Sequence, residues 1–247
     1  MPRPPRFSYA QALHHVTLRC NNREFLFADP WFADFAQLLQ ETRAKFRIKL
    51  FSYCVMTNHV HMVVQVPEED TLSKAMHWLS TTFVRRFNRA TGRCGHLWQG
   101  RFRSAIIEES SYFLRCLAYV DLNPVRAAMV SSPGAYPWCS HGALREKDPS
   151  VLDIGEPYLG LGADAAERYE RYREFLAEEA SRPPVSLAKA YFVGTPRFVG
   201  RMAARFGLAE GGRSLRRMQL GSGLMCVEPL HGRAQASDYQ CHRKLLP

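Results

Sequence analysis

Two histidines separated by a single residue, His59 and His61, are the first pattern in this 247-residue chain that could carry chemistry. On a β-strand, residues i and i+2 point to the same face, with their Cα atoms about 7 Å apart. Two imidazoles placed in this way can share one divalent metal ion. The chain contains nine histidines, so an H-x-H pair can also arise by chance and serve packing alone. The pair by itself leaves both interpretations open.

A second pattern lies on a predicted helix, where four polar side chains recur at i, i+3, i+7 and i+11: Tyr112, Arg115, Tyr119 and Asn123. This spacing places them on one stripe of the helix. Because Tyr119 shares the stripe with Arg115 and Asn123, we expect its phenol to face a polar site. A phenol with a pKa of about 10 is a poor nucleophile at neutral pH, unless a metal ion or a guanidinium favours its anion. Tyr112 is the competing candidate, and a tyrosine facing a core needs no catalytic explanation.

Arginines dominate the third pattern. The segment 73–107 has no acidic residue and seven basic ones: Lys74, Arg85, Arg86, Arg89, Arg93, Arg101 and Arg103. Arginine suits bidentate contacts to phosphate, and the net charge of +10 favours a polyanionic partner. Arg101 and Arg103 alternate around Phe102, which predicts that both share one strand face. A solvated surface also explains such a cluster, and Trp98 and Phe102 could either stack on unpaired bases or belong to a core.

The elements that must position these side chains follow from hydrophobic periodicity and turn residues. Strands are predicted at 13–19, 49–55, 59–66 and 101–107, with a turn at 56–58. Helices are predicted from Asp29-Pro30 onward, at 71–88 and at 110–122. Strands and helices thus alternate with hairpin connections up to about residue 145. This pattern predicts an α+β domain with an antiparallel sheet.

The remainder of the chain has a different character. We predict a first domain over residues 1–149 and a basic, mainly helical C-terminal extension over 150–247. An amphipathic helix is expected at 165–180, and irregular chain beyond Gly221. The segment 182–217 has eight basic residues against one acidic residue. It could grip duplex or hairpin DNA, or it could be a solvated appendage.

Several classes of protein are excluded by what the chain lacks. No run of about 20 apolar residues occurs, so no membrane-spanning helix is expected. The residues Met1 to Arg6 have no apolar stretch of the kind found in secretory signals. Seven scattered cysteines without a C-x-x-C pair are typical of reduced, structural thiols and argue against a zinc finger. We therefore expect a cytoplasmic, nucleoid-associated protein without membrane contact.

Taken together and in order, the motifs resemble a known family. The residues that carry the resemblance are His15–Arg19 with Asn21–Arg23, Tyr53–His61, His96–Phe102, Tyr119–Ala127 and Tyr136–Ser140. Over residues 9–145 the chain resembles the HUH single-tyrosine transposases, and most closely the REP-associated tyrosine transposases of bacteria. Five ordered motifs at compatible spacings are far more specific than the histidine pair alone.

The resemblance implies a ferredoxin-like fold with the histidines on a central strand and the tyrosine helix packed beside it. It implies that Tyr119 is the nucleophile, because Tyr112 does not match the family position. It also implies that His59, His61 and Asn123 bind the metal ion. Mg²⁺ or Mn²⁺ suits this mixed nitrogen and oxygen set, and zinc is possible on ligand type. The implied reaction cleaves and rejoins single-stranded, hairpin-containing DNA through a 5′-phosphotyrosine intermediate.

Contacts to this DNA are predicted from the basic and polar side chains near the motifs: Arg19, Asn22, Arg23, Arg85, Arg86, Arg89, Arg101, Arg103, Arg115 and Arg126. The alternative function is a domesticated, non-catalytic regulator that binds DNA hairpins. A replication or conjugation initiator is disfavoured, because the chain lacks a nucleotide-binding G-x-x-x-x-G-K-[ST] loop. Both a monomer and a homodimer are compatible with the sequence.

Overall fold

The computed structural model describes residues 6–109, 111–146, 151–182, 187, 190–208, 215–219 and 225–229. For residues 23, 111, 145, 146, 215–219 and 225–229 it describes the backbone alone. Within this part of the chain, no helix is both long and apolar enough to cross a membrane.

The first half of the chain forms a four-stranded antiparallel sheet and two helices. In chain order these are β1 (Leu13–Arg19), α1 (Trp31–Phe46), β2 (Lys49–Val55), β3 (His59–Gln65), α2 (Thr71–Thr91) and β4 (Arg103–Ile107). The strand order β2-β3-β1-β4 follows from the pairs β2·β3, β3·β1 and β1·β4, all antiparallel. A β-α-β-β-α-β chain with this order is ferredoxin-like, which confirms the predicted α+β class.

Alternation along the strands separates an apolar face from a polar one. Val60 and Met62 of β3 point into a core formed with the apolar stripes of α1 and α2, where Phe35 and Phe83 are almost completely buried. Because successive strand residues point to opposite faces, His59 and His61 lie on the other side of the sheet. The core under α1 and α2 therefore fixes the orientation of the histidine pair.

A second core covers the histidine side of the sheet. It contains Val63 of β3 and Ala105 of β4, packed against α3 (Ser111–Asp121); the short α4 (Asn123–Arg126) follows α3 in the chain. Phe113, Leu117 and other apolar residues of α3 face this core. The amphipathic pattern of α3 thus places one helix against the face that the two ferredoxin helices leave uncovered.

The C-terminal part contributes helices and additional strands. The helices are α5 (His141–Glu146), α6 (Glu156–Leu159), α7 (Ala165–Ser181) and α8 (Pro196–Arg205). The strands β5 (Phe192–Gly194), β6 (Leu215–Gln219) and β7 (Met225–Pro229) extend the sheet to the order β2-β3-β1-β4-β5-β7-β6. These strands were not predicted, and irregular chain beyond Gly221 was wrong for Met225–Pro229. Because β5 runs parallel to β4, the complete sheet is mixed. The domain boundary at residue 150 stays a prediction.

A buried carboxylate ties α3 to α7. Asp121, the last residue of α3, is 1% exposed. It accepts hydrogen bonds from the Tyr172 hydroxyl of α7 at 2.8 Å, from Ser52 Oγ at 3.2 Å and from Cys139 Sγ at 3.4 Å. Burial, followed by the charge of Asp121, raises the pKa of Tyr172 well above its usual value, so the hydroxyl remains a donor. Helix α7 therefore helps to hold the end of α3 in place.

Tyr172→Phe should lower the free energy of unfolding by roughly 1.5–3 kcal/mol, because it removes a buried hydrogen bond to a charged group. Tyr158→Phe is the matched control. Tyr158 packs in the same core with its ring 5.4 Å from that of Tyr172, and its buried hydroxyl has no hydrogen-bond partner among the described residues. Urea unfolding at neutral pH should show a clear loss for Tyr172→Phe and almost none for Tyr158→Phe. Equal effects of the two substitutions would contradict the role given to Asp121.

Candidate active site

The pairing of β1 with β3 brings further polar side chains beside the histidines. In this register Thr17 lies opposite His61, and Arg19 lies opposite His59. Residues opposite each other in an antiparallel pair share one face of the sheet, and His15 joins that face by alternation. His61 is 4% exposed, and His59 is half-buried nearer the strand end. The candidate site is thus a group of polar side chains on one face of the neighbouring strands β1 and β3.

Both histidines use their Nδ1 atoms for contacts within the protein. His59 Nδ1 lies 2.6 Å from Asn58 Oδ1, and since an amide oxygen only accepts, the imidazole donates from Nδ1. His61 Nδ1 lies 3.0 Å from His15 Nε2 and 3.3 Å from Thr17 Oγ1. The ring centres of His59 and His61 are 4.8 Å apart. An imidazole whose Nδ1 is engaged by the protein and whose Nε2 remains as the ligand atom is typical of metal sites.

Charge on these imidazoles is disfavoured by their surroundings. Burial lowers the pKa of His61 well below its usual value, and the neighbouring imidazoles and Arg19 lower it further. Burial lowers the pKa of His15 to about 3. Both rings are therefore neutral at neutral pH, and the neutral imidazole is the form that binds metal ions.

Tyr119 reaches the imidazoles from α3. Its half-buried ring lies edge-on to two of them, with ring centres 5.5 Å from His61 and 5.4 Å from His15. The phenol thus faces a polar site that includes His61, as expected from the sequence, which had left open whether the site forms within one chain or between two. Its role as nucleophile stays a prediction.

Tyr112, the competing candidate, occupies a different environment. It is 5% exposed and packs in the second core, near the start of α3. Burial raises its pKa to about 12. The predicted stripe of four polar residues is therefore divided, with Tyr112 in apolar packing and Tyr119 at the site. This contrast favours Tyr119 as the reactive phenol.

Asn123 is the first residue of α4 and lies just beyond the end of α3, the helix that carries Tyr119. Its Nδ2 donates to the carbonyl oxygen of Tyr119 at 2.7 Å and lies 3.4 Å from that of Val120. The amide nitrogen is thus used within the helix, and Oδ1 is the atom that could bind a metal ion. Among the described residues, no group of three His, Cys, Asp or Glu side chains could hold a metal ion. Two imidazoles and an amide oxygen are nevertheless a chemically suitable donor set for a divalent cation, and the metal role of all three side chains stays a prediction.

Two of the predicted DNA contacts lie beside the histidines. Arg19 is opposite His59, and Arg103 of β4 is opposite Thr17, so both share the face that bears the imidazoles. Arg103 is exposed and Arg19 is half-buried. These guanidiniums place positive charge on two sides of the candidate site.

Three other predicted DNA contacts are engaged in ion pairs or hydrogen bonds within the protein. Arg86 joins α2 to α1 through carboxylates at 3.3 Å and 2.9 Å. Arg115 lies 3.5 Å from Glu179 of α7, and Arg126 donates to the Glu179 carbonyl oxygen at 3.1 Å. These contacts give the three arginines structural functions, and their DNA contacts stay predictions.

A cavity of about 640 Å³ between α2 and the segment 96–102 brings together cationic side chains on the helix side of the sheet. Arg85 and Arg101 line it, together with Arg6 and two exposed histidines. Since β4 begins at Arg103, the prediction that Arg101 and Arg103 share a strand face was wrong. Trp98 and Phe102 are each only 8% exposed, which favours the core interpretation for both.

The remaining predicted contacts are only partly described. Asn22 and Arg89 are exposed, and the side chain of Arg23 lies outside the described part of the chain.

Sequence reasoning missed three residues of the site, namely His15, Thr17 and Asn58. The alternation of His15, Thr17 and Arg19 was a possible signal, but only the strand register shows which residues they face.

Comparison with known proteins finds similarity over the segment that carries the candidate site. Residues 8–123 match the family of IS200-like transposases. The matched range runs from the residues before β1 to Asn123, and it includes His59, His61 and Tyr119. The resemblance to single-tyrosine transposases is thereby confirmed for this part of the chain.

The individual relatives are more specific. A candidate REP-associated tyrosine transposase of Haemophilus influenzae is 23% identical over 138 residues, which are 52% of this chain and 78% of that protein. The structure of a REP-associated tyrosine transposase bound to a REP hairpin superposes with a TM-score of 0.50 at 18% identity. It covers 67% of this chain and 93% of that one, which supports the same fold. Both proteins are similar to this chain, and at 18% identity the solved structure supports the fold alone.

Proposed function

We propose that this chain is a metal-dependent transposase and endonuclease that cleaves and rejoins single-stranded, hairpin-containing DNA through a 5′-phosphotyrosine intermediate. The observation that carries the proposal is the contact of the Tyr119 ring with His61, at 5.5 Å between ring centres within one chain. The phenol thus contacts one imidazole of the pair within a single chain, and the proposal is compatible with a monomer and with a homodimer.

In the proposed reaction, Tyr119 Oη attacks the phosphorus of a phosphodiester. A bond forms between Oη and phosphorus, and the bond from phosphorus to the 3′-oxygen breaks. The phenol loses its proton, and the departing 3′-oxygen gains one. Because the product is still a phosphate diester, attack by a 3′-hydroxyl can reverse the step and rejoin DNA without ATP. Water as the nucleophile would lose this possibility.

The residues that would hold the cation are His59 and His61 through Nε2 and Asn123 through Oδ1. Bound Mg²⁺ or Mn²⁺ supplies charge neutralisation and orientation at the phosphate, and zinc is also possible on ligand type. All three side chains are neutral ligands, so they leave the full charge of the ion available to the DNA. Asn58 Oδ1 keeps the His59 ring in the tautomer that such ligation requires.

The DNA strand would be held mainly by charge. Arg19 and Arg103 lie on the imidazole face, where they can contact the phosphates that flank the scissile bond. Arg85 and Arg101 line the separate cavity on the other side of the sheet, where a hairpin or a flanking strand could continue. These positions make hairpin-containing DNA the proposed partner.

Arg103→Ala should weaken binding of single-stranded DNA by roughly tenfold, because it removes one charge-assisted contact to phosphate. It should also reduce the slope of log affinity against log salt by about 0.7. Arg173→Ala is the control, since it removes another exposed guanidinium, one that is carried by α7 and is not among the predicted DNA contacts. Fluorescence anisotropy at several salt concentrations measures both quantities. Equal slopes for the wild-type chain and Arg103→Ala would show that Arg103 does not contact the DNA phosphates.

Incubation of the wild-type chain with a labelled DNA hairpin that carries a single-stranded flank, in Mn²⁺ or Mg²⁺, tests the function. The expected product is a covalent protein–DNA adduct that survives denaturing electrophoresis and does not form in EDTA. Tight, salt-sensitive binding without any adduct would instead support the alternative, a domesticated non-catalytic DNA-hairpin-binding regulator. The presence of His59, His61, Tyr119 and Asn123 together favours the catalytic function.

A further inference from the structure

His15 contacts both Tyr119 and His61. It is 2% exposed, on the central strand β1. Its ring lies beside that of His61, with centres 5.2 Å apart and planes 14° from parallel, and it meets the Tyr119 ring edge-on. Its Nε2 lies 3.0 Å from His61 Nδ1. The β1–β3 ladder fixes this geometry, since Thr17 is directly opposite His61.

A hydrogen bond between two neutral imidazoles has two possible directions. If His61 donates from Nδ1, its Nε2 carries a lone pair and can bind a cation. If His15 donates instead, His61 carries its hydrogen on Nε2 and cannot be a ligand. The Thr17 hydroxyl can donate or accept, so it is compatible with both directions. The role of His61 as a ligand therefore depends on which nitrogen of the pair gives the hydrogen.

We propose that His15 is a positioning residue that accepts the Nδ1 hydrogen of His61 and thereby holds this imidazole in its metal-binding tautomer. The inference rests on the proposed function, because it assigns a role toward the same cation. Metal-ligating histidines usually donate their second ring nitrogen to a carboxylate, a carbonyl oxygen or water.

The environment of the two histidines supports this role. Among the described residues, the contacts to His61 Nδ1 come from His15 and Thr17, and no carboxylate is found there. His15 thus takes the place that the Asn58 oxygen takes at His59. The two ligands of the pair would each have one acceptor, a side chain from β1 for His61 and the preceding residue for His59.

Two measurements on the full chain test the proposal. The ¹⁵N chemical shifts of His61, measured by NMR without metal, report its tautomer directly. The affinity for Mn²⁺ alone, measured by electron paramagnetic resonance without DNA, reports how tightly the histidine site binds a metal ion. We expect wild-type His61 to carry its hydrogen on Nδ1. We expect His15→Leu to weaken Mn²⁺ binding by about 10- to 100-fold and to shift His61 toward the Nε2-protonated tautomer.

His15→Gln is the conservative variant, because its Oε1 can accept the same hydrogen. It should recover much of the Mn²⁺ affinity, a result that a purely packing role for His15 would not produce. Arg173→Ala, at an exposed position of α7, is the control and should bind Mn²⁺ like the wild-type chain.

Three results would overturn the proposal: wild-type His61 protonated on Nε2, His15→Leu with unchanged affinity and tautomer, or His15→Gln as weak as His15→Leu. If His15→Leu does not fold, the wild-type tautomer and the His15→Gln affinity still decide the matter. Failure of the wild-type chain to bind Mn²⁺ and to form an adduct would refute the proposed function instead. The tautomer measurement needs no metal, so it separates the two failures.

Discussion

Tyr119→Phe should abolish the covalent protein–DNA adduct, with a fall in rate of roughly 10³-fold or more, because the substitution removes the attacking oxygen. The aromatic ring is retained, so its edge-on contacts with His15 and His61 should persist. DNA affinity and the free energy of unfolding should therefore change little. Denaturing electrophoresis of the protein with a labelled hairpin and Mn²⁺ measures the adduct.

Tyr112→Phe is the matched control on the same helix. Its ring is buried in the second core, and we expect this variant to form the adduct at a rate close to that of the wild-type chain. Adduct formation by Tyr119→Phe together with its loss in Tyr112→Phe would assign the nucleophile to Tyr112 and refute our assignment.

His59→Ala should reduce adduct formation by roughly 10²- to 10³-fold, because it removes a ligand of the cation that neutralises the phosphate. His59 is half-buried and lies near a strand end, so the fold should tolerate its truncation better than that of the buried His61. Titration of the adduct rate with Mn²⁺ should show a higher metal requirement in this variant. Arg173→Ala, at an exposed position of α7, should behave like the wild-type chain, and an equal loss in both variants would contradict a metal role for His59.

Strand alternation made the histidine side of the site predictable. A period of two residues sends Val60 and Met62 to the apolar core, so that His59 and His61 must point to the other face. The helix carrying Tyr119 was also evident from its apolar stripe and from Pro124 just beyond its end. The strand-helix alternation up to about residue 145 predicted the α+β class, and the family resemblance narrowed it to the ferredoxin-like fold. Local periodicity thus accounts for most of the scaffold.

Features that depend on pairing between distant segments could not be predicted. His15 and Thr17 face His61 only because of the β1–β3 register, which joins residues 46 and 44 positions apart and is not encoded in either strand alone. The hydrogen bond from Tyr172 to Asp121 likewise requires the packing of α7 on α3. Neither contact leaves a short-range pattern in the sequence.

The arginines likewise show that contacts between distant segments could not be predicted from the sequence. Composition predicted a basic surface, but it could not show that Arg86 pairs with carboxylates of α1, or that Arg115 and Arg126 contact Glu179 of α7. An arginine is a candidate phosphate ligand only if tertiary structure leaves it facing the substrate. The short strand β5 was missed for a related reason, since three residues are too few to show a period.

The C-terminal part of the chain contributes to the position of the tyrosine helix. The Tyr172 hydroxyl donates a hydrogen bond to Asp121 at the end of α3. Glu179 contacts both Arg115 on α3 and Arg126 on α4. These contacts come from α7, which lies beyond the matched transposase segment at residues 8–123. Substitutions in α7 can therefore affect the candidate site without touching DNA.

The central claim, that Tyr119 is the nucleophile of a DNA strand-transfer reaction, is tested most directly by mass spectrometry of the adduct. The wild-type chain is incubated with a DNA hairpin and Mn²⁺, digested with nuclease and protease, and its peptides are sequenced. The account predicts a nucleotide joined through its 5′-phosphate to Tyr119. A nucleotide attached to Tyr112 or to any other residue, or no modified peptide although the hairpin is bound, would contradict it.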